Sequence, residues 1–308
     1  MSDAIAYPIG TPGHPWGEAE LSLWRARRSR QRRYDHDVLP RIEGLGDGFE
    51  NVAYGQLDYA GERYTLNALK WRDWDPARPA VLVTGGVHGY ETSGVMGALA
   101  FLETGARDYA SQLNLLVAPC VSPWGYERIN RWNYNAIDPN RSFSANGPSG
   151  EASALIGLIA PLLGQFVAHI DLHETTDSDE SEFRPALAAR DGKPYEPGSV
   201  PDGFYLVTDT QNRQLPFQQA IIAAVERVTH IALPDHAGEI IGCPLLAHGV
   251  IEYPVHAYAM CAAITGAPYT TTTEVYPDSP HATPQQCDDA QVAAVCAALD
   301  YVLSQSSL

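Results

Sequence analysis

Three short, mostly apolar runs constrain this chain more than any other feature: residues 79–84 (PAVLVT), 113–118 (LNLLVA) and 168–172 (AHIDL). A strand with almost no polar alternation has no solvent face, so both its faces must be covered, as in a parallel strand within an α/β sheet. Between the runs the apolar spacing becomes helical, over 92–102 and 150–166, which is the βαβ rhythm. The expected fold is therefore α/β, a mixed, mostly parallel central sheet with helices on both faces. Upstream, 51–69 alternates like an antiparallel hairpin. Downstream, 204–207, 249–253 and 270–276 read as strands, and 217–228 and 284–303 as helices. Residues 1–50 are rich in Pro and Gly and read as an N-terminal arm carrying an Arg-rich helix, with the main domain over 51–308.

Composition narrows the partners. With 308 residues and 45% hydrophobic content there is enough apolar material for one large α/β domain or two small ones. Acidic residues outnumber basic ones 37 to 20, a formal charge of −17, which opposes binding to nucleic acid or to an anionic membrane surface. Six of the twenty basic residues, Arg25, Arg27, Arg28, Arg30, Arg32 and Arg33, crowd into nine positions. They suit a docking arm, or more simply an amphipathic helix with Leu21, Leu23, Trp24 and Ala26 that pairs with the acidic body. Five cysteines without a C-x-x-C pair indicate neither a disulfide framework nor a cysteine zinc site. The N-terminal MSDAIAYP has no basic and apolar leader pattern, and no apolar run approaches the ~20 residues of a membrane span, so a soluble, cytoplasmic protein is expected.

In open parallel sheets ligands gather at the carboxyl ends of the strands. After the first apolar run comes GGVHGYE, with His88 and Glu91 spaced H-x-x-E, and the third run ends in DLHE, with His173. Two imidazoles and a carboxylate are a frequent ligand set for catalytic zinc, with the fourth position left open. H-x-x-E alone is common by chance, and His88 alone reads equally well as a structural histidine. A second histidine at a strand end favours a metal. The loop between these strands carries Arg131, Asn140 and Arg141. Such planar donors recognise a carboxylate or stabilise an oxyanion, although each arginine taken singly reads as an ordinary surface residue.

Together these stretches resemble the zinc carboxypeptidases (carboxypeptidase A-like, or funnelin), which share a catalytic domain with succinylglutamate desuccinylase and aspartoacylase. The resemblance rests on H-x-x-E at 88–91, on SPWGYERINRWNYNAIDPNRSF at 122–143, on IDLHE at 170–174 and on TTTEVY at 271–276, in the family's order. It implies a phosphorylase/hydrolase-like fold and one Zn²⁺ per chain, bound by His88, Glu91 and His173. It further implies that Asn140 and Arg141 grip the substrate's terminal carboxylate, that Arg131 stabilises the oxyanion and that Asp138 fixes a ligand imidazole. Glu274 is implied as the general base, with Glu252, also at a strand end, as its competitor. The sequence departs from the family at SPWG, where the pattern has N-P-D-G. The tyrosine that closes over substrate is left open among Tyr253, Tyr258 and Tyr269.

The leading expectation is a zinc-dependent metallocarboxypeptidase that hydrolyses the C-terminal peptide bond of a peptide with a free carboxylate. An N-acyl-amino-acid amidohydrolase of the desuccinylase or aspartoacylase type ranks second, because those relatives carry a β-rich extension and only 34 residues follow Glu274. A non-catalytic scaffold that binds a partner through its arginine segment ranks third. Glu174 is expected to support the ligands or be solvated, and His169 to pack within the sheet. The acidic run at 177–182 reads as a solvated loop, and His236, His248, His256 and His281 as loop or pocket histidines.

Overall fold

A computed structural model describes residues 7–305. The first helix described is α1 (Glu18–Ala26), followed by the single turns α2 (Tyr34–Asp37) and α3 (Leu39–Glu43). A hairpin of β1 (Phe49–Tyr59) and β2 (Glu62–Trp71) leads into β3 (Ala80–Gly85), α4 (Thr92–Thr104), α5 (Ala106–Tyr109) and β4 (Asn114–Ala118). Next come α6 (Pro123–Arg128), α7 (Gly150–Ile159), β5 (Phe166–Glu174), α8 (Arg184–Arg190), β6 (Tyr205–Asp209) and α9 (Leu215–Val225). A small ribbon of β7 (Glu239–Ile240) and β8 (Cys243–Pro244) precedes β9 (Val250–Tyr253), β10 (Tyr269–Val275) and α10 (Pro284–Gln305). Among these, no helix is long and apolar enough to cross a membrane.

The main sheet has eight strands in the order β1-β2-β4-β3-β5-β10-β6-β9. The central pairs β4–β3, β3–β5 and β5–β10 are parallel, as is β6–β9, while β1–β2, β2–β4 and β10–β6 are antiparallel. The mixed, mostly parallel sheet is thus observed. All residues of β3 and β4 are buried, as strands without polar alternation require. On one face Val81, Val83, Ile170 and Leu172 pack with Val95 and Leu99 of α4 and Val295 and Leu299 of α10. On the other, Leu82, Leu116 and Phe166 pack with Ala152, Leu155 and Ile159 of α7.

Strand alternation then sorts β5. Ala168, Ile170 and Leu172 join the α4 and α10 core, which sends His169, Asp171 and His173 to the opposite face. Pairing adds neighbours in register: Thr84 of β3 stands beside Asp171, and Glu274 of β10 beside His173.

The helix expected over 150–166 ends sooner, at Ile159. A 3₁₀ turn (Ala160–Leu162) containing Pro161 and then Gly164, at φ +86°, turn the chain into β5, because proline lacks a donor for a further helical turn and glycine accepts the left-handed conformation. The arginine segment also differs from expectation, since α1 stops at Ala26 and most of the run lies beyond it. Arg28 pairs with Glu182, Arg30 with Glu127 and Arg33 with Asp35, while the backbone N–H groups of Gln31 and Arg32 donate to the Glu127 carbonyl. One amphipathic face could not point arginines at partners lying in so many directions.

Trp24 anchors this segment. It is buried and packs its ring against Trp124 and Trp132. Trp124 is the third residue of SPWG, so the family departure coincides with an aromatic joint to α1. Nearby, Glu127 is 3% exposed and accepts from the Tyr34 N–H, the Tyr64 hydroxyl and Arg128. Removing one partner of a buried ion pair strands the other. Glu127→Ala is therefore expected to lower unfolding free energy by about 3 kcal/mol in urea titration, and an effect below about 0.5 kcal/mol would show that Glu62, which also pairs with Arg128, satisfies it alone.

Candidate metal centre and active site

The loop after β3 is glycine-rich for steric reasons. Gly86 sits at φ +59°, and a Cβ on Gly89 would lie 2.0 Å from the Tyr126 backbone nitrogen. Only a chain without side chains at these points can cross α6 so closely and present His88 over the sheet. Glu91 is the N-cap residue of α4, and the Glu174 carboxylate accepts from the next two backbone N–H groups, Thr92 at 2.9 Å and Ser93 at 2.7 Å. A carboxylate at a helix N-terminus satisfies donors that have no partner within the helix. Glu174 thus supports the helix end that carries Glu91, and it is buried rather than solvated.

His88, Glu91 and His173 come together, with one ligand atom of each within 4.8 Å of the others. Nδ1 of His88 lies 2.7 Å from Glu91 Oε1, and Nδ1 of His173 lies 2.7 Å from Glu91 Oε2. The outward Nε2 atoms meet carboxylates as well, Asp138 at 2.9 Å for His88 and Asp171 at 2.8 Å for His173. Glu91 Oε2 is buried and has no partner of good hydrogen-bond geometry, which leaves a lone pair for a cation. Two imidazoles held at Nε2 by carboxylates, their Nδ1 atoms turned to a third carboxylate, fit a divalent cation of the zinc type.

The electrostatics agree with that fit. Burial opposes ionisation of Glu91, but His173 and His88 outweigh it and hold the carboxyl down at about 2. Burial likewise opposes a charged His173, yet Asp171 and Glu91 raise it well above the ordinary imidazole value. Asp138 is held well below the usual carboxylate range, Arg131 and His88 outweighing its burial. The centre stabilises positive charge between its carboxylates, the charge a metal ion brings.

Arg131 reaches into this cluster. Its Nε donates to Asp138 at 3.2 Å and its Nη1 to the Tyr90 hydroxyl at 3.2 Å, with Asp179 at 3.5 Å and Glu91 at 3.9 Å. The Asn140 amide oxygen accepts the Cys261 N–H at 2.7 Å. Its Nδ2 is 3.5 Å from His173 Nε2, a nitrogen whose proton goes to Asp171, so the amide N–H groups remain available to the cavity. Arg141 is exposed and makes no ion pair among the described residues. Glu274 faces the same cavity, of about 160 Å³, together with His88, Arg131, Asn140 and Arg141. Burial pushes its carboxyl up to about 8, against the lowering effect of His173, and the Thr175 hydroxyl donates to it at 2.9 Å.

The geometry sets several of the alternatives apart. Glu252 is engaged by Arg213 at 2.6 and 3.0 Å, outside the cavity. Tyr269 packs against Phe217 and Tyr301, whereas Tyr253 lines the cavity and the exposed Tyr258 lies beside Arg141. His248 pairs with Glu226 on the surface, and His281 meets His230 edge to face. Reading 177–182 as a solvated loop is corrected: the segment forms a helical turn, and Asp179, 6% exposed, accepts from the Tyr90 hydroxyl and the Thr176 N–H inside the site. Sequence reasoning also passed over Asp171, Thr175 and Tyr205, whose hydroxyl lies 2.6 Å from that of Thr175. Only Asp171 carried a signal, its i−2 position on the strand of His173.

Residues 58–156 match the family model described as zinc carboxypeptidase, a span that includes His88, Glu91, Arg131, Asn140 and Arg141 but not His173 or Glu274. No curated protein sequence matches the chain. Among solved structures, a candidate metallopeptidase from Shewanella amazonensis superposes with a TM-score of 0.64 at 22% identity, over 85% of this chain and 90% of that one. A metallo-carboxypeptidase from Burkholderia cenocepacia gives 0.58 at 14% identity, over 94% and 70%. Bovine thrombin-activatable fibrinolysis inhibitor, in complex with tick carboxypeptidase inhibitor, gives 0.58 at 14%, over 95% and 99%. The resemblance to the zinc carboxypeptidases is therefore borne out by the family match over residues 58–156, which takes in the first two of the four motifs and supports a metallopeptidase, while the solved structures share the fold over most of the chain.

Proposed function

We propose that the protein is a zinc-dependent metallocarboxypeptidase that removes the C-terminal residue of a peptide bearing a free carboxylate. The observation that carries this reading is Glu274 standing in register beside His173 of the His88–Glu91–His173 set, and lining one cavity with His88, Asn140 and Arg141. Zinc held by those three residues supplies Lewis acidity, polarising the scissile carbonyl and acidifying water.

The chain's own groups perform the rest. Arg141 and the free N–H groups of Asn140 bind the terminal carboxylate, placing the last peptide bond over the ligands. Glu274 takes a proton from water as its oxygen bonds to the carbonyl carbon, then gives that proton to the leaving nitrogen as the C–N bond breaks. Arg131 meets the negative charge that develops on the carbonyl oxygen. The Thr175 hydroxyl, itself in contact with Tyr205, holds Glu274 in place. Arg131, Arg141 and Phe183 also line a second groove of about 540 Å³, room for the peptide preceding the scissile bond that an acyl-amino acid does not need.

In the test, chelator-treated protein is expected to lose activity, zinc to restore it, and a peptide with an amidated C-terminus to be refused. Equal cleavage of free and amidated peptides would overturn the clamp. Faster turnover of N-acyl-amino acids than of peptides would place the protein with the amidohydrolases instead.

A further inference from the structure

Beneath the candidate ligands, on the same face of the sheet, lies a polar cluster with no solvent exposure: Thr84, His169, Asp171 and Cys261. Ligand atoms of His169, Asp171 and Cys261 lie within 4.8 Å of one another, close enough to suggest a second cation. The threonine hydroxyl stands in that space, however, 2.6 Å from Asp171 Oδ1, 3.0 Å from His169 Nε2 and 3.7 Å from Cys261 Sγ. The cluster is a hydrogen-bond junction with Thr84 at its centre.

Donor counting assigns each proton. A hydroxyl has one proton and two lone pairs, and an ionised carboxylate only accepts. Thr84 therefore donates to Asp171 and accepts from His169 Nε2–H and from the Cys261 thiol. The other oxygen of Asp171, Oδ2, accepts Nε2–H from His173 at 2.8 Å. His169 is thereby the Nε2–H tautomer, its Nδ1 left without a partner, as observed. Strand pairing supplies the geometry, since Leu82 and Thr84 of β3 stand in register with His169 and Asp171 of β5.

We infer that Thr84 and His169 are positioning residues that act through Asp171 to hold the His173 imidazole protonated on Nε2, with its Nδ1 turned toward Glu91. A carboxylate bonded only to His173 can rotate about its own axis. One whose second oxygen is tied to Thr84, and Thr84 in turn to His169, cannot. The inference rests on the metallopeptidase reading for its consequence, zinc affinity, but not for the tautomers themselves.

Two measurements on the full chain test it: zinc affinity by competition with a chelator, and ¹⁵N NMR of histidine-labelled protein. Thr84→Val, which keeps the shape and removes the hydroxyl, is expected to weaken zinc binding about tenfold, and Thr84→Ser to restore it to within about twofold. In the wild-type protein the His169 proton is expected on Nε2, and in Thr84→Val its signal is lost to exchange. A merely structural role would not separate Val from Ser in zinc affinity. Wild-type zinc affinity in Thr84→Val, or a His169 proton on Nδ1, would overturn the relay. Wild-type protein that binds no zinc would instead overturn the metal reading, and the His169 tautomer would still decide the relay.

Discussion

Glu274→Gln is expected to lower kcat by roughly 10²–10⁴-fold, the range removed with a positioned acid–base group, while leaving zinc content unchanged. The substitution keeps the shape of the side chain and its contact with Thr175, yet an amide neither takes a proton from water nor returns one to the leaving nitrogen. Stability of the metal-free protein should move the other way. Burial pushes the Glu274 carboxyl up to about 8, above its ordinary value of 4.5, so the folded state binds the proton more tightly than the unfolded state does. Its contribution is fully present below about pH 4.5 and is lost as pH rises through about 8. Glu274→Gln should remove that part of the alkaline fall in the metal-free melting temperature. Turnover within threefold of wild type would eliminate Glu274 as the base.

The second large effect is expected at Arg131. Arg131→Met should lower kcat/KM by about 10²–10³-fold, the loss that follows removal of an oxyanion donor, and should also destabilise the fold. Arg131 lies among Asp138, Asp179 and Glu91, and taking away the arginine that pairs with all three leaves those carboxylates facing one another. Arg131→Lys separates the two roles. A point charge still neutralises the cluster, but it cannot donate from two nitrogens in the plane of the fork. Most of the melting temperature should return with Lys and most of the activity should not. If Lys restores both, Arg131 acts as a charge alone.

Much of the site is legible as residues at strand ends. His88 and Glu91 follow a buried strand through glycines, and His173 and Glu274 end two others, so the rule that ligands gather at carboxyl ends of strands identifies them in the linear chain. The choice between Glu274 and Glu252 is not legible in that way, because both end strands. It turns on which strand lies beside β5, and strand order is a long-range property. The same holds for Asp179. Its neighbours in sequence are acidic and polar, and only the turn that folds it against Tyr90 and Arg131 makes it a buried residue of the site.

Local pattern also misjudged the arginine segment. An amphipathic helix accounts for the spacing of Leu21, Trp24 and the arginines, but the helix ends at Ala26, because Glu127 and Glu182 lie where an extended strap reaches them and a helix does not.

By itself the sequence determined the fold class and the chemical types at the centre, since apolar continuity forces burial on both faces and alternation along β5 forces His169, Asp171 and His173 onto one. Which carboxylate stands beside His173, which tyrosine faces the cavity and which hydroxyl ties Asp171 to His169 were decided only by the tertiary structure. Those relations join strands distant in the chain, and register between such strands is set by the packing of the whole sheet rather than by any local run of residues.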